Sequence, residues 1–168
     1  MEILDLYDKD FKRSGKTIIR RVDEIPDGSY IMLSYVLIKN NDKYLLEQMT
    51  ERNNYKYAIP GGHILSGETG LQGLIRELKE EIGLSDVNIK HLDTVVFPYN
   101  KYIFNVYLIE DLINIDKLVL QPDEVINVSW YSTNEIKDLI NKDLIPKGYA
   151  YILNNYLDVW NEEIYYGW

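Results

Sequence analysis

Apolar and polar positions along the chain change period in an ordered way. From Thr69 onward Leu71, Leu74, Ile75, Leu78 and Ile82 recur at helical spacing, which predicts a helix laying one apolar stripe on a core. Thr69 with Gln72 three positions on has the form of a capping box, and Gly83 suits the left-handed residue that ends a helix. Upstream, residues 30–39 (YIMLSYVLIK) form an unbroken apolar run rich in strand formers, as expected of a central strand covered on both faces. Asn40-Asn41-Asp42 turns that strand back into residues 44–49. Residues 88–99 and 101–110 read as two more strands around Pro98-Tyr99-Asn100. Residues 125–130 read as another, and Ser132 is placed to cap a helix running to Asn141.

The ends of the chain are patterned differently. Residues 1–15 are charged and finish in Arg13-Ser14-Gly15, a turn before a short strand at 17–19, and Ile25-Pro26-Asp27-Gly28 is a second turn. Residues 148–163 carry Ile152, Leu153, Tyr156, Leu157 and Trp160 at helical spacing, which predicts a helix covering the sheet. The closing Tyr165-Tyr166-Gly167-Trp168 is expected to pack on its own domain or on a partner.

The helix after Thr69 carries the most informative charges. At about 100° per residue, Glu77 and Glu81 project about 40° apart and Glu80 lies about 60° from Glu77, so three carboxylates share the flank of the apolar stripe. Such an array repels itself at neutral pH unless a cation sits among it. Carboxylate oxygens with water suit Mg²⁺, with Mn²⁺ as a substitute, and Mg²⁺ completes its octahedron with substrate phosphates. Arg76 projects about 100° from Glu77 and is expected to orient a loop or a neighbouring carboxylate rather than touch the metal.

Composition narrows the partners. With 168 residues the chain is long enough for one domain with its own core. Its 18 basic and 27 acidic residues leave a net charge of −9, which argues against nonspecific binding to nucleic acid or an anionic membrane. An anionic substrate must then be admitted by metal ions and local basic groups. The absence of cysteine excludes disulfides, thiolate chemistry and cysteine metal sites. The start, MEILDLYDKD, does not read as a secretory signal, and no apolar run approaches the roughly 18 residues of a membrane helix, so the cytoplasm is the expected location.

Residues 62–84, GHILSGETGLQGLIRELKEEIGL, carry Gly62, Glu68, Arg76, Glu77, Leu78, Glu80, Glu81, Gly83 and Leu84 at fixed offsets. This is the Nudix box, G-x5-E-x7-R-E-U-x-E-E-x-G-U with U aliphatic, complete at every specified position. The chain is accordingly identified as a member of the Nudix hydrolase superfamily. The resemblance implies an α/β fold, an α/β/α sandwich around a mixed sheet. It also implies a single domain over 1–168, divided into an N-terminal extension (1–29), the box (62–84) and C-terminal helices (133–168).

It further implies Mg²⁺-dependent hydrolysis of a nucleoside diphosphate linked to another group X, by water attack on phosphorus. Glu77, Glu80, Glu81 and the Gly62 carbonyl are then the metal ligands. Glu77 is the first choice of general base, with Glu124 or Glu68 in reserve. Glu68 either has a structural role or pairs with Arg76 or the metal.

Tyr57-Ala58-Ile59-Pro60-Gly61-Gly62 is similar to the family's W-x-L-P-G-G approach, with tyrosine for tryptophan. Where many members end a strand in arginine this chain has Met49, and Arg52 is the candidate to replace it. His63 is a candidate phosphate contact in a loop, and Tyr55, Tyr57, Phe97 and Tyr99 are candidates to stack on a base. Arg20, Arg21, Lys43 and Lys56 are further candidate phosphate contacts. Homodimers are a habit of the family.

Two alternatives share the motif. A Nudix domain can sense nucleotides without cleaving them. Tyr7-Asp8, Gly15-Lys16-Thr17 and Arg20 also resemble the start of the isopentenyl-diphosphate-isomerase-like branch, whose isomerases use a cysteine that this chain lacks.

Overall fold

A computed structural model describes the backbone of residues 1–165 and the side chains of residues 1–157. The strands are β1 (Ile3–Tyr7), β2 (Arg13–Ile19), β3 (Ile31–Asn40), β4 (Lys43–Met49), β5 (Tyr57–Ala58), β6 (Gly61–His63), β7 (Lys90–Phe97), β8 (Tyr102–Ile109) and β9 (Val125–Ser132). Helix α1 (Gly70–Ile82) lies between β6 and β7, and α2 (Thr133–Asn141) and α3 (Lys147–Tyr165) follow β9.

The main sheet is mixed. Its order is β5-β4-β3-β8-β7, with β6 also paired to β3 and β9 to β4. β3 and β8 run parallel in register from Ile31↔Tyr102 to Ile38↔Ile109, and the other pairs are antiparallel. β3 and β4 pair only beside their turn, at Lys39↔Tyr44 and Asn40↔Lys43. Beyond it they diverge: β3 takes β6 through Leu33↔His63, Ser34↔Gly62 and Tyr35↔Gly61, while β4 takes β5 through Glu47↔Ala58. Residues 57–63 thus bridge two splayed strands, and the cleft opens at this split.

Side chains alternate across a strand, and that period assigns each residue of β3 and β4 to one of two cores. Leu33, Tyr35, Leu37, Tyr44 and Leu46 pack with Ile136 of α2 and Ile152, Leu153 and Leu157 of α3. Val36, Ile38 and Leu45 pack with Leu74, Leu78 and Ile82 of α1. Helices therefore cover both faces, the α/β/α sandwich expected. The predicted double burial of β3 is met, since its first nine residues are all buried.

Local signals at helix ends hold as read. Thr69 and Gln72 form a reciprocal capping box, Gly83 ends α1 in the left-handed conformation, and Ser132 with Glu135 makes a second capping box at α2.

Four expectations are corrected. Arg13-Ser14-Gly15, read as a turn, opens strand β2. Residues 3–7, read as part of a charged lead-in, form β1, which pairs with β2 and buries Leu4 and Leu6 in the α2/α3-side core. On α1, Leu71 and Ile75 are exposed while Glu81 is buried, because the helix is rotated to carry Glu81 toward the strand split. His63, read as a loop residue, belongs to β6. The side chain of Trp160 and the terminal Tyr165-Tyr166-Gly167-Trp168 run lie outside the described side chains. Among the described residues no helix is long and apolar enough to cross a membrane.

Tyr44 illustrates the energetics of this core. It is 2% exposed, and its hydroxyl makes no hydrogen bond to the protein. Burial, together with the charge of Glu110, pushes that hydroxyl up from 10 to about 12. The neutral form is thus favoured in the folded state. Its contribution to stability is fully present below about pH 10, the unfolded value, and is lost as pH rises through about 12. Urea midpoints measured from pH 7 to 12 should fall in that window for the wild type and fall less for Tyr44→Phe. At pH 7 the variant should be no less stable, because an unpaired buried hydroxyl costs on the order of 1 kcal/mol. Parallel wild-type and variant curves between pH 10 and 12 would contradict this reading.

Candidate active site

The box fixes its own loop before it offers anything to a ligand. Arg76 sends Nε to Glu68 Oε1 (2.7 Å) and Nη2 to Glu68 Oε2 (3.1 Å) and to the His63 carbonyl (2.9 Å). Its Nη1 donates to Glu77 Oε1 (3.0 Å) and Glu80 Oε2 (3.2 Å). Glu68 also accepts the Leu65 amide at 2.9 Å. Arg76 therefore clamps the β6–α1 loop to the helix and holds two of the three helix carboxylates. The hydrogen bond from Arg76 keeps the Glu68 carboxyl low, and Glu68 in turn raises Arg76.

The two glycines have different reasons to be there. Gly61 has φ +136°, and a Cβ on it would fall 2.0 Å from the Ser34 carbonyl oxygen, so the close pairing of β6 with β3 requires glycine. A Cβ on Gly62 would stand 2.7 Å from the Glu77 carboxyl carbon, so here glycine makes room for a carboxylate.

These elements wall a cleft of about 270 Å³. Its acidic lining is Glu47, Glu77, Glu80 and Glu81, with Asp123 and Glu124 on the segment before β9 and Glu2 from the N-terminal end. That segment is stitched in place by backbone bonds from Gln121 N to Glu81 O (2.8 Å) and from Thr50 N to Glu124 O (3.3 Å). Arg20, Arg21 and Arg52 also line the cleft.

The two arginines at 20 and 21 arrive on the β1–β2 hairpin, whose Asp5 accepts from Ser66 Oγ (2.8 Å) and the Gly67 amide (2.9 Å). Arg13 pairs with Asp5 and donates to the Glu68 carbonyl, so the hairpin is docked on the box loop. Arg20 pairs with Glu2 at the cleft edge.

Burial sets the electrostatics of the cleft. Desolvation raises the Glu77 carboxyl against the pull of Arg76. Burial, then the charge of Glu47, raises Glu81 well above its ordinary range, although the Gly61 amide donates to Glu81 Oε2 at 3.2 Å. Burial pushes Glu47 up to about 8, with a hydrogen bond to Glu81 acting the other way. His63 is pushed down to about 4 by burial and by Arg20. It is therefore neutral at pH 7 and offers phosphate no charge.

The chemistry of this donor set fits a hard divalent cation. It gathers carboxylates whose like charges are forced together in a poorly solvated place, and Gly62 leaves open the space into which the Glu77 carboxylate reaches. Among the described residues no three acidic or histidine side chains already converge as a ligand set. Arg76 draws Glu77 and Glu80 toward itself, so closing on a cation takes rotation of side chains already in the cleft.

Of the expected site residues, the structure brings Gly62, His63, Glu77, Glu80, Glu81, Glu124 and Arg52 to one cleft, together with Arg20 and Arg21. Met49, at the position where the family places arginine, lines the same wall as Arg52. Glu68 and Arg76 sit behind it, on the loop clamp.

Tyr57 is corrected: β5 pairs it with Gln48, on the face opposite Glu47, and its ring packs edge-on against Tyr131 at 5.7 Å. Lys56 is likewise turned away, paired with Asp143 at 3.3 Å. Phe97 and Tyr99 do line a second cavity of about 400 Å³, with Leu33, Tyr102, Phe104 and Lys147. It joins the acidic cleft through Tyr35, His63 and Tyr149, which line both. Sequence reasoning missed Glu47, Tyr35 and Tyr149. The signal for Glu47 was a lone acid in the apolar strand LLEQM.

The NUDIX domain family model matches residues 33–154. The chain belongs to the NUDIX family, whose hydrolases act on diphosphate linkages. Over 101 residues it is 26% identical to an NAD-capped RNA hydrolase NudC of Escherichia coli, covering 60% of this chain and 38% of that relative. The chain thus spans well under half the length of the curated relative it matches. Among solved structures, it superposes on DR0079 from Deinococcus radiodurans with a TM-score of 0.78 at 16% identity, covering 92% of this chain and 98% of that one. A MutT NUDIX hydrolase from Burkholderia pseudomallei gives 0.59 at 17% identity, covering 74% and 95%. Both likenesses show the fold.

The glycine pair provides a paired test. Gly62→Ala should fold, because the new methyl meets only the flexible end of Glu77, and should weaken Mn²⁺ binding by about tenfold or more through the displaced carboxylate. Gly61→Ala should instead lower the melting temperature sharply, since its methyl meets backbone. Thermal melts and Mn²⁺ titrations of both variants check this. A Gly62→Ala protein with wild-type metal affinity would show that the space beside Glu77 is idle.

Proposed function

We propose that the protein is a divalent-metal-dependent, cytoplasmic diphosphohydrolase that cleaves a nucleoside diphosphate linked to another group X, built as one domain over 1–168. The observation that carries this reading is the meeting, in one cleft, of the box carboxylates with Arg20, Arg21 and Arg52 and with an aromatic cavity beside them. Carboxylates suit the cation, guanidinium groups suit phosphate oxygens, and aromatic walls suit a base.

Glu77, Glu80, Glu81 and the Gly62 carbonyl would hold Mg²⁺ or Mn²⁺. When bound, the ion supplies charge neutralisation for the diphosphate and an acidified water. Arg76 keeps Glu77 and Glu80 oriented from behind. Arg20, Arg21 and Arg52 receive phosphate oxygens at the open side of the cleft and offset a net charge of −9 that would otherwise repel the substrate.

Glu124, exposed at the end of the stitched segment, is the carboxylate we assign to take the proton of the attacking water. Glu77, the first choice from sequence, already commits an oxygen to Arg76. Glu68 is committed to Arg76 and the Leu65 amide and stands behind the cleft, which removes it as base. The cavity lined by Phe97, Tyr99, Tyr102 and Phe104 admits the base, and Lys147 at its edge can meet a polar group of the nucleoside.

The test is product release from nucleotide sugars, dinucleoside polyphosphates, nucleoside triphosphates and non-nucleotide diphosphates, with and without Mg²⁺. Metal-dependent cleavage of a nucleoside-containing class is expected. Glu80→Gln and Glu81→Gln should lose both turnover and metal affinity. Glu124→Gln should lose kcat by about 10²-fold or more with metal affinity kept. Wild-type turnover in either Glu80→Gln or Glu81→Gln would sink the assignment.

A further inference from the structure

We propose that Glu47, contributed by strand β4 and lying outside the box, ligates the divalent cation together with Glu81 and closes the metal centre from the sheet side. This rests on the reading that the cleft binds such a cation. The placement follows from strand geometry. Leu45 packs in the α1-side core and Leu46 in the α2/α3-side core, so the two-residue period puts Glu47 on the α1 side, where Glu81 lies. Glu47 is 3% exposed and Glu81 8%, and both line the cleft.

The hydrogen bonding of the pair is lopsided. Glu81 Oε2 accepts the Gly61 amide, whereas Glu47 Oε1 is buried and has no hydrogen-bond partner in the protein. Glu47 pairs across the sheet with Ala58 on β5 and Val128 on β9, neither of which has a side chain able to donate to it. A packing position between such neighbours is best filled by an apolar residue. A carboxylate with an orphaned oxygen is destabilising there unless a ligand completes it.

The completing group must accept lone pairs and tolerate several carboxylates at once. A hard divalent cation does both, and an amide or hydroxyl donor would leave the crowded negative charge in place. Glu47 approaches from the sheet, whereas Glu77, Glu80 and Glu81 approach from the helix. The cation would therefore be held between two elements rather than against one.

The competing role for Glu47 is structural, a protonated acid that donates a hydrogen bond to Glu81. Glu47→Gln separates the two, since glutamine keeps the donor and the shape while losing the anionic ligand. Mn²⁺ binding to the whole chain would be followed by electron paramagnetic resonance and by calorimetry. The expected result is a fall in affinity of about tenfold or more, or loss of one bound ion, with the metal-free melting temperature equal to or above wild type.

Unchanged stoichiometry and affinity in a folded Glu47→Gln protein would overturn the proposal and leave the cation reading intact. Should the wild type bind no Mn²⁺, both would fall. A measurement without any variant guards against misfolding: anomalous density from wild-type crystals grown with Mn²⁺ should place a Glu47 oxygen in the inner coordination sphere. An ion coordinated by the helix carboxylates with Glu47 outside that sphere would equally overturn the proposal.

Discussion

Burying like charges side by side is the constraint on which the rest of this structure depends. Glu47 and Glu81 are nearly inaccessible and face one another across the gap between sheet and helix. Two carboxylates in a poorly solvated place repel, and both being ionised there is disfavoured without an opposing charge. The fold holds them together by rigidity. α1 is anchored by Leu74, Leu78 and Ile82 on one side, and Arg76 ties it to its loop on the other. The strand split opens the space, and the bridging residues 57–63 keep it from closing. A stable hydrophobic frame thus carries a locally unfavourable electrostatic arrangement, the usual condition for a site that awaits a ligand.

Arg76 shows how this frame is wired. A guanidinium presents donors in a fixed planar fork, so one side chain can satisfy a carboxylate, a carbonyl and two further carboxylates in set directions. Lysine has the charge without the fork, and could not hold Glu68 through two bonds while still reaching His63 and Glu77. The residues on either side of this fork divide the labour. Glu68 stabilises the loop, and Glu77 and Glu80 line the cleft with one oxygen each drawn back to Arg76.

Much of this was legible in the sequence where the signal is local. The capping box at Thr69, the turn at Gly83, the double burial of β3 and the shared flank of Glu77, Glu80 and Glu81 each depend on residues within a few positions of one another. The misreadings arose where distant parts decide. Hydrophobicity alone puts Leu71 and Ile75 of α1 inward. The strand split instead rotates the helix so that Glu81 points in and those two point out. Glu47 sits inside an apolar run, and only the packing of Leu45 and Leu46 against opposite helix layers shows which side of the sheet it faces. β1 is hard to see because it is only five residues long, ILDLY, with Asp5 set between Leu4 and Leu6. Tyr57 was assigned to the cleft by its nearness in sequence to Gly61, although one step along a strand reverses the face.

The docking of the β1–β2 hairpin lets charge at the cleft mouth drift independently of the box. The matched family segment begins at residue 33, while Arg20 and Arg21 reach the cleft from before it, on a hairpin held through Asp5 and Arg13 to the box loop. The box carboxylates and these two positive charges of the cleft therefore belong to separate stretches of polypeptide. Substitution at positions 20 and 21 can therefore change the charge at the cleft mouth while the carboxylates go untouched. The hairpin itself is no detachable part, since Leu4, Leu6 and Ile18 belong to the main core, so drift at the mouth is confined to the residues that stand clear of it.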